Sequence, residues 1–152
     1  MPNARAPRAP RLAPHRTLAA FAVVLIAVAA CSFEAPTPEL RLYTDDLAFR
    51  VSFEPVPPRA LTDIGFRVVV RDRKTGQPIE GGQGRIFATN EDQHSIDNGL
   101  TAAPELGTYY TRLRFVNAGP WAMGLQFRRD STQRLQRTND WMQDVLPDSG
   151  PP

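Results

Sequence analysis

The chain has 152 residues, 41% hydrophobic and 22% charged, with a net charge of only +2. That size and balance fit one folded domain with appendages and exclude a disordered chain or a multispanning membrane protein. Fifteen prolines and ten glycines argue against long helices and for short strands joined by turns.

The charge is unevenly divided along the chain. Residues 1–30 carry Arg5, Arg8, Arg11 and Arg16 and no acid, whereas the rest holds 14 basic against 16 acidic groups, a net of −2. The part after residue 30 is close to neutral, so the basic balance of the whole chain does not imply nucleic acid as a partner.

Leu18–Ala30 is a run of thirteen apolar residues that follows the four arginines and His15 and ends in small side chains. A membrane-spanning helix needs about 20 such residues, and a basic start, short apolar stretch and small-residue end are the parts of a secretory signal. The junction Val28-Ala29-Ala30-Cys31 contains the chain's single cysteine and resembles the lipobox of bacterial lipoproteins. The resemblance implies lipid transfer to the Cys31 sulfur and cleavage between Ala30 and Cys31. An ordinary cut after Ala29 or an uncleaved anchor are the alternatives. Two or three acyl chains would hold the protein firmly to a membrane, since each buried methylene contributes about 0.8 kcal/mol. Ser32 stands where an Asp tends to retain such proteins at the inner membrane, which favours an outer-membrane position in a host with two membranes. Residues 31–39, with Pro36 and Pro38, read as a tether.

From residue 40 the dominant signal is alternation with period 2. A short strand is expected at Leu40–Thr44. Phe49, Val51 and Phe53 then alternate with Arg50, Ser52 and Glu54, and Ile64, Phe66, Val68 and Val70 with Gly65, Arg67, Val69 and Arg71. Another short strand is expected over Gly84–Thr89. Tyr109, Thr111, Leu113 and Phe115 oppose Tyr110, Arg112 and Arg114, and Trp121, Met123, Leu125 and Phe127 oppose Ala122, Gly124, Gln126 and Arg128. Val116–Pro120 reads as the turn joining those last two strands as an antiparallel pair. Further turns are expected at Pro55–Arg59, Arg73–Pro78, Gly81-Gly82 and Asp97-Asn98-Gly99. The arithmetic is that of an all-β, immunoglobulin-like antiparallel sandwich of six or seven strands over residues 40–130. Residues 131–152 read as an extension that holds either a terminal strand to about Gln136 or a short helix near Thr138–Val145, followed by a frayed tail at Pro147–Pro152.

The segments Phe66–Asp72, Thr75–Gly81, Gly107–Tyr110 and Ala118–Trp121 together resemble the YtkA-like/FixH-like group of exported Ig-like domains, over roughly residues 47–129. In that resemblance Gly76 and Pro78 make a turn, Gly107 admits the chain to the next strand, and Trp121 plugs the sandwich end. It further implies accessory work in assembling copper-containing respiratory oxidases. Copper favours thioether and imidazole ligands, and after Cys31 the chain offers only His94, Met123 and Met142. Met123 belongs to an inward row. The Asn90–Gly99 segment carries Glu91, Asp92, Asp97 and Asn98, but not in the spacing of a calcium loop. No metal site or cofactor is therefore expected, and His94 is read as part of a loop suited to a partner contact.

Hydrolytic chemistry lacks its parts. His94 is the one imidazole in the folded region, no G-x-S-x-G turn occurs, and no phosphate loop or dinucleotide fingerprint is present. The expectation is a non-enzymatic, lipid-anchored binding or accessory module with a protein partner in the cell envelope. A copper-handling or oxidase-assembly factor and a purely structural envelope protein are the alternatives. Contact residues are expected at His94, at Tyr110, Arg112 and Arg114 on one outward row, and at Trp141. Arg128, Arg129, Arg134 and Arg137 are expected to extend that Arg- and Tyr-rich face.

Overall fold

A computed structural model describes residues 38–150. The expected signal peptide, the cleavage point at Ala30, the lipid-attachment residue Cys31 and the tether as far as Thr37 lie outside the described residues.

The described chain is an antiparallel β-sandwich without a helix. One sheet has the order β1-β2-β3-β7-β6, and comprises β1 (Leu40–Tyr43), β2 (Leu47–Glu54), β3 (Asp63–Asp72), β7 (Thr108–Arg114) and β6 (Thr101–Ala102). The second has the order β10-β8-β4-β5, with β10 (Trp141–Val145), β8 (Gly119–Arg128), β4 (Gln83–Asn90) and β5 (Ser95–Gly99), while β9 (Gln136–Arg137) pairs with β8. The ten strands exceed the expected six or seven because short edge segments with weak alternation also pair.

The inward rows are those of the alternation. Phe49 and Val51 of β2, Ile64 to Val70 of β3, Tyr109 and Leu113 of β7 and Trp121 to Phe127 of β8 are buried. Aromatic edges knit the layers together. Phe127 of one sheet meets Phe49 and Tyr109 of the other in T-shaped contacts, with centroids 5.9 and 5.2 Å away. Trp121 packs edge-on against Phe115 at 5.2 Å and donates from its indole nitrogen to the Asn117 carbonyl, so the end of the sandwich is filled as expected. The buried apolar cluster runs from Leu47 to Val145; the core is closed within residues 38–150, which therefore form an independent folding unit.

Three expectations need correction. Val116–Pro120 does not join a hydrogen-bonded pair: β7 pairs with β3 and β6, β8 pairs with β4, β9 and β10, and the turn carries the chain from one sheet to the other. Asp97-Asn98-Gly99 is strand β5, not a turn; β4 and β5 form a hairpin that turns at Glu91–His94. Residues 141–145 are a strand, which excludes the helix. Because β9 and β10 complete the second sheet, the sandwich continues past residue 130. Behind β10, Leu146 exchanges backbone hydrogen bonds with Pro58 and Ala60 and so ties the chain end to the loop between β2 and β3.

Two turns behave as the sequence indicates. Asp72 accepts hydrogen bonds from the backbone of Lys74 and Thr75, and Gly76 follows with φ of 73°. Gly107 has φ of 70°, and a Cβ there would press on Pro78 and the Val70 carbonyl, so only glycine lets the chain enter β7.

Candidate binding face

The two outer faces of the sandwich differ in charge. On the first sheet the outward positions carry Arg41 (β1), Arg50 (β2), Arg67 and Arg71 (β3) and Arg112 and Arg114 (β7), against Glu54 and Asp63. Tyr43 and Tyr110 stand among them, 52% and 46% exposed. Some of this charge is paired at the rim: Arg67 with Glu105 at 2.7 Å, Arg50 with Glu39 at 3.6 Å and Arg114 with Asp63 at 3.9 Å. The Glu105 hydrogen bond raises the pKa of Arg67 still further, with burial opposing it. Arg73, beside this face, lies over the Tyr43 ring at 5.5 Å. Arg112 makes no side-chain hydrogen bond or ion pair among the described residues.

The outer face of the second sheet is balanced. Arg85 pairs with Asp97 at 3.3 Å, Arg137 with Asp140 at 2.8 Å, and Arg128 is held by the Gln83 side-chain oxygen. Arg137 also covers the Phe87 ring at 4.6 Å.

The expected contact residues therefore separate. Tyr110, Arg112 and Arg114 lie together on the exposed row of β7, as the alternation indicates. Their neighbours are not the expected ones. Arg128 and Arg137 belong to the opposite face, and Arg129 is engaged by Asp46 and Asp72; the arginines of β1, β2 and β3 take their place. Arg50, Arg67 and Arg71 were visible in the sequence as wet positions, but only the strand order brings them to one surface. His94 is exposed in the β4–β5 turn, fastened by its backbone N–H to Asn90 Oδ1 at 2.8 Å. Trp141 is half-buried against the core, so it is not an exposed anchor, whereas its neighbour Met142 is 63% exposed. Met123 is fully buried. Among the described residues no three His, Cys, Asp or Glu side chains converge as metal ligands would.

A trough is cut into the charged face. It encloses about 610 Å³ and its floor is the backbone of Phe53, Phe66 and Thr111 together with Gly65. Glu54, Gly65 and Arg112 are in register across β2, β3 and β7, so the backbones that carry a carboxylate and a guanidinium flank the glycine on opposite banks, two strand spacings or about 9–10 Å apart. Arg67 and Tyr110 form the next row. At one end Asn98 of β5 reaches the Arg112 carbonyl at 3.0 Å, and this side-chain bond links the two sheets at the trough's edge.

No protein-family model matches the chain, and no curated protein is similar to it in sequence. Solved structures do align with it. A DUF4426 family protein from Pseudomonas aeruginosa PAO1 aligns with a TM-score of 0.55 at 14% identity, over 73% of this chain and 97% of that one. FetP of uropathogenic Escherichia coli strain F11 aligns at 0.49 with 9% identity, over 72% and 97%. A copper-bound variant of FetP aligns at 0.47 with 9% identity, over 75% and 95%. The likeness to the DUF4426 protein places the described chain in a sandwich fold already seen in a bacterial protein.

Proposed function

We propose that this chain is an exported bacterial lipoprotein, cut before Cys31 and anchored by lipid on its sulfur, that presents the sandwich as a non-catalytic binding module in the cell envelope. Its working surface is the outer face of the β1-β2-β3-β7-β6 sheet, and its partner is an envelope protein with an acidic surface. The unequal charge of the two outer faces carries this reading. Six arginines and two tyrosines gather on one face against Glu54 and Asp63, with Glu39 and Glu105 at the rim, while on the other face Arg85 and Arg137 are matched by acids and Arg128 by Gln83. Arg and Tyr are the side chains that anchor interfaces, and an excess of one sign steers an oppositely charged partner. The tether leads directly into β1, the edge strand of this same sheet.

Crosslinking the tagged chain in its native membranes tests the proposal. An acidic envelope protein should be recovered, and Arg50→Glu with Arg112→Glu should abolish its recovery while Arg85→Glu should not. Cys31→Ser should release the protein from the membrane fraction; retention would overturn the lipid anchor. Recovery of oxidase or copper-transport subunits through the Asn90–Gly99 hairpin would replace this reading with a copper-handling or respiratory-assembly role.

A further inference from the structure

Most glycines of the described chain are fixed by the fold. Five have positive φ, and at Gly82, Gly84 and Gly124 a Cβ would collide with the Phe127 ring, the Gln126 carbonyl and the Phe87 ring respectively. Gly65 and Gly99 are different. Neither has positive φ, and a Cβ would meet nothing nearer than the Glu54 carbonyl at 3.8 Å or the Gly84 carbonyl at 4.0 Å. Glycine weakens a strand interior, and at these two positions neither backbone nor packing asks for it. Gly65 lies in the trough of the charged face, whereas Gly99 borders it with its backbone and shares its own face with Arg85 of the other sheet.

We propose that this trough, kept open by Gly65, binds a carboxylated saccharide. Its volume lies within the range of about 300–1,000 Å³ usual for small-ligand sites. The polar groups lining it are of mixed kind, which argues against a simple anion site. Arg112, free of other side-chain partners among the described residues, matches a carboxylate in a two-point geometry. Glu54, on the opposite bank, accepts hydrogen bonds and so asks for hydroxyl or amide donors. Ser52 and Thr101 can both donate and accept, as a hydroxyl-rich ring requires. Tyr110 offers an exposed aromatic wall to the apolar C–H face of such a ring. A purely anionic ligand would be repelled by Glu54, and a neutral saccharide would leave Arg112 unmatched. A saccharide that bears a carboxylate satisfies both banks.

The inference rests on reading this face as the working surface, but not on export, lipidation or the protein partner. Segment 38–150, whose core is self-contained, is titrated with tetragalacturonate and, separately, with its methyl ester, by calorimetry and by amide chemical shifts. The acid form should bind at least about tenfold more tightly than the ester, with shifts concentrated at Gly65, Gly99, Tyr110 and Arg112. Gly65→Val adds a side chain over the floor where there is room for it, and should abolish binding while leaving the thermal midpoint unchanged or raised. Arg112→Gln should weaken binding by about tenfold, since it removes the charged half of one hydrogen-bonded pair, and Arg85→Gln on the other face should have no effect. If Gly65→Val fails to fold, Gly65→Ala and Arg112→Gln carry the test. Equal binding of acid and ester, undiminished binding by the filled variant, or equal affinity for inorganic phosphate would each overturn the proposal. Loss of the crosslinked partner with the titration intact removes the partner reading alone; the reverse removes the saccharide alone.

Discussion

Arg129, just beyond β8, donates from Nη2 to Oδ2 of Asp72, the last residue of β3, at 2.7 Å. The same guanidinium reaches the Asp46 carboxylate and carbonyl in the turn between β1 and β2, at 3.1–3.2 Å. One side chain thus fastens the second sheet to two points of the first. The Asp72 side chain is only 20% exposed, and the N–H of Thr75, then Arg129, hold its carboxyl far below the usual carboxylate range.

That depression makes stability depend on acid. A carboxyl with a lowered pKa in the folded state contributes stability that is complete above its unfolded value, near 3.8, and is lost as pH falls below it. The denaturant midpoint should therefore fall steeply below about pH 4. Asp72→Asn should start lower at neutral pH and show a shallower acid slope. The residual slope belongs in part to Asp130, which the Thr132 hydroxyl and N–H hold down in the same direction. Urea titrations between pH 2 and 7 on both proteins measure this.

Tyr109 serves the core as a hydrogen-bonded aromatic. Its hydroxyl donates to the Ile79 carbonyl at 2.7 Å and accepts from the Gly82 N–H at 3.1 Å, and burial pushes its pKa up. Tyr109→Phe keeps the ring against Phe127 but strands one acceptor and one donor. The expected loss is about 1–3 kcal/mol in chemical denaturation, with no change in the titration of saccharide or partner.

Gly124 sits in β8 under the Phe87 ring, which Arg137 covers from outside. A methyl group there would overlap the ring and approach Asp140 Oδ1 at 2.8 Å. Gly124→Ala should therefore cost about 1–3 kcal/mol by overpacking, opposite in sign to the expectation for Gly65→Val. The contrast in melting temperature between the two variants separates a glycine the fold needs from one it does not.

Trp141 and Met142 are neighbours on β10 with opposite fates. Trp141→Ala should cost about 2 kcal/mol, below the 3–5 typical of a fully buried Trp, while Met142→Ala should stay within about 0.5 kcal/mol. Thermal unfolding of both distinguishes a docking residue from a solvent-facing one.

The rows Phe66/Val68/Val70 and Trp121/Met123/Leu125/Phe127 were legible because each β-strand face repeats every second residue, whatever its partner. Which strand pairs with which was not. Val116–Pro120 has the chemistry of a hairpin turn, yet the chain crosses between sheets there, a choice set by distant strands. In β10 the inward positions are Trp141, Gln143 and Val145, and the polar Gln143 breaks the alternation that would have excluded a helix. The charged face was half legible. Tyr110, Arg112 and Arg114 share one strand and could be read together, but Arg50, Arg67 and Arg71 join them only through the order β2-β3-β7. Gly65 gave no local sign, since a lone glycine in a strand reads as a bulge until the empty space around it is seen.

Leu100 links β5 of one sheet to β6 of the other without a break, its N–H bonded to the Gly84 carbonyl at 2.8 Å. At that flank the chain passes directly from the end strand of one sheet to the end strand of the other. On the opposite flank the outermost described strands are β1, β9 and β10, where a second copy could seek to add strand to strand. Pro38 ahead of β1 and Pro147 behind β10 present no N–H to such an addition, and Arg41 places a charge along it. If the proposed lipid anchor crowds copies of this domain together, they would be discouraged from fusing into continuous sheets while their broad charged faces stayed open.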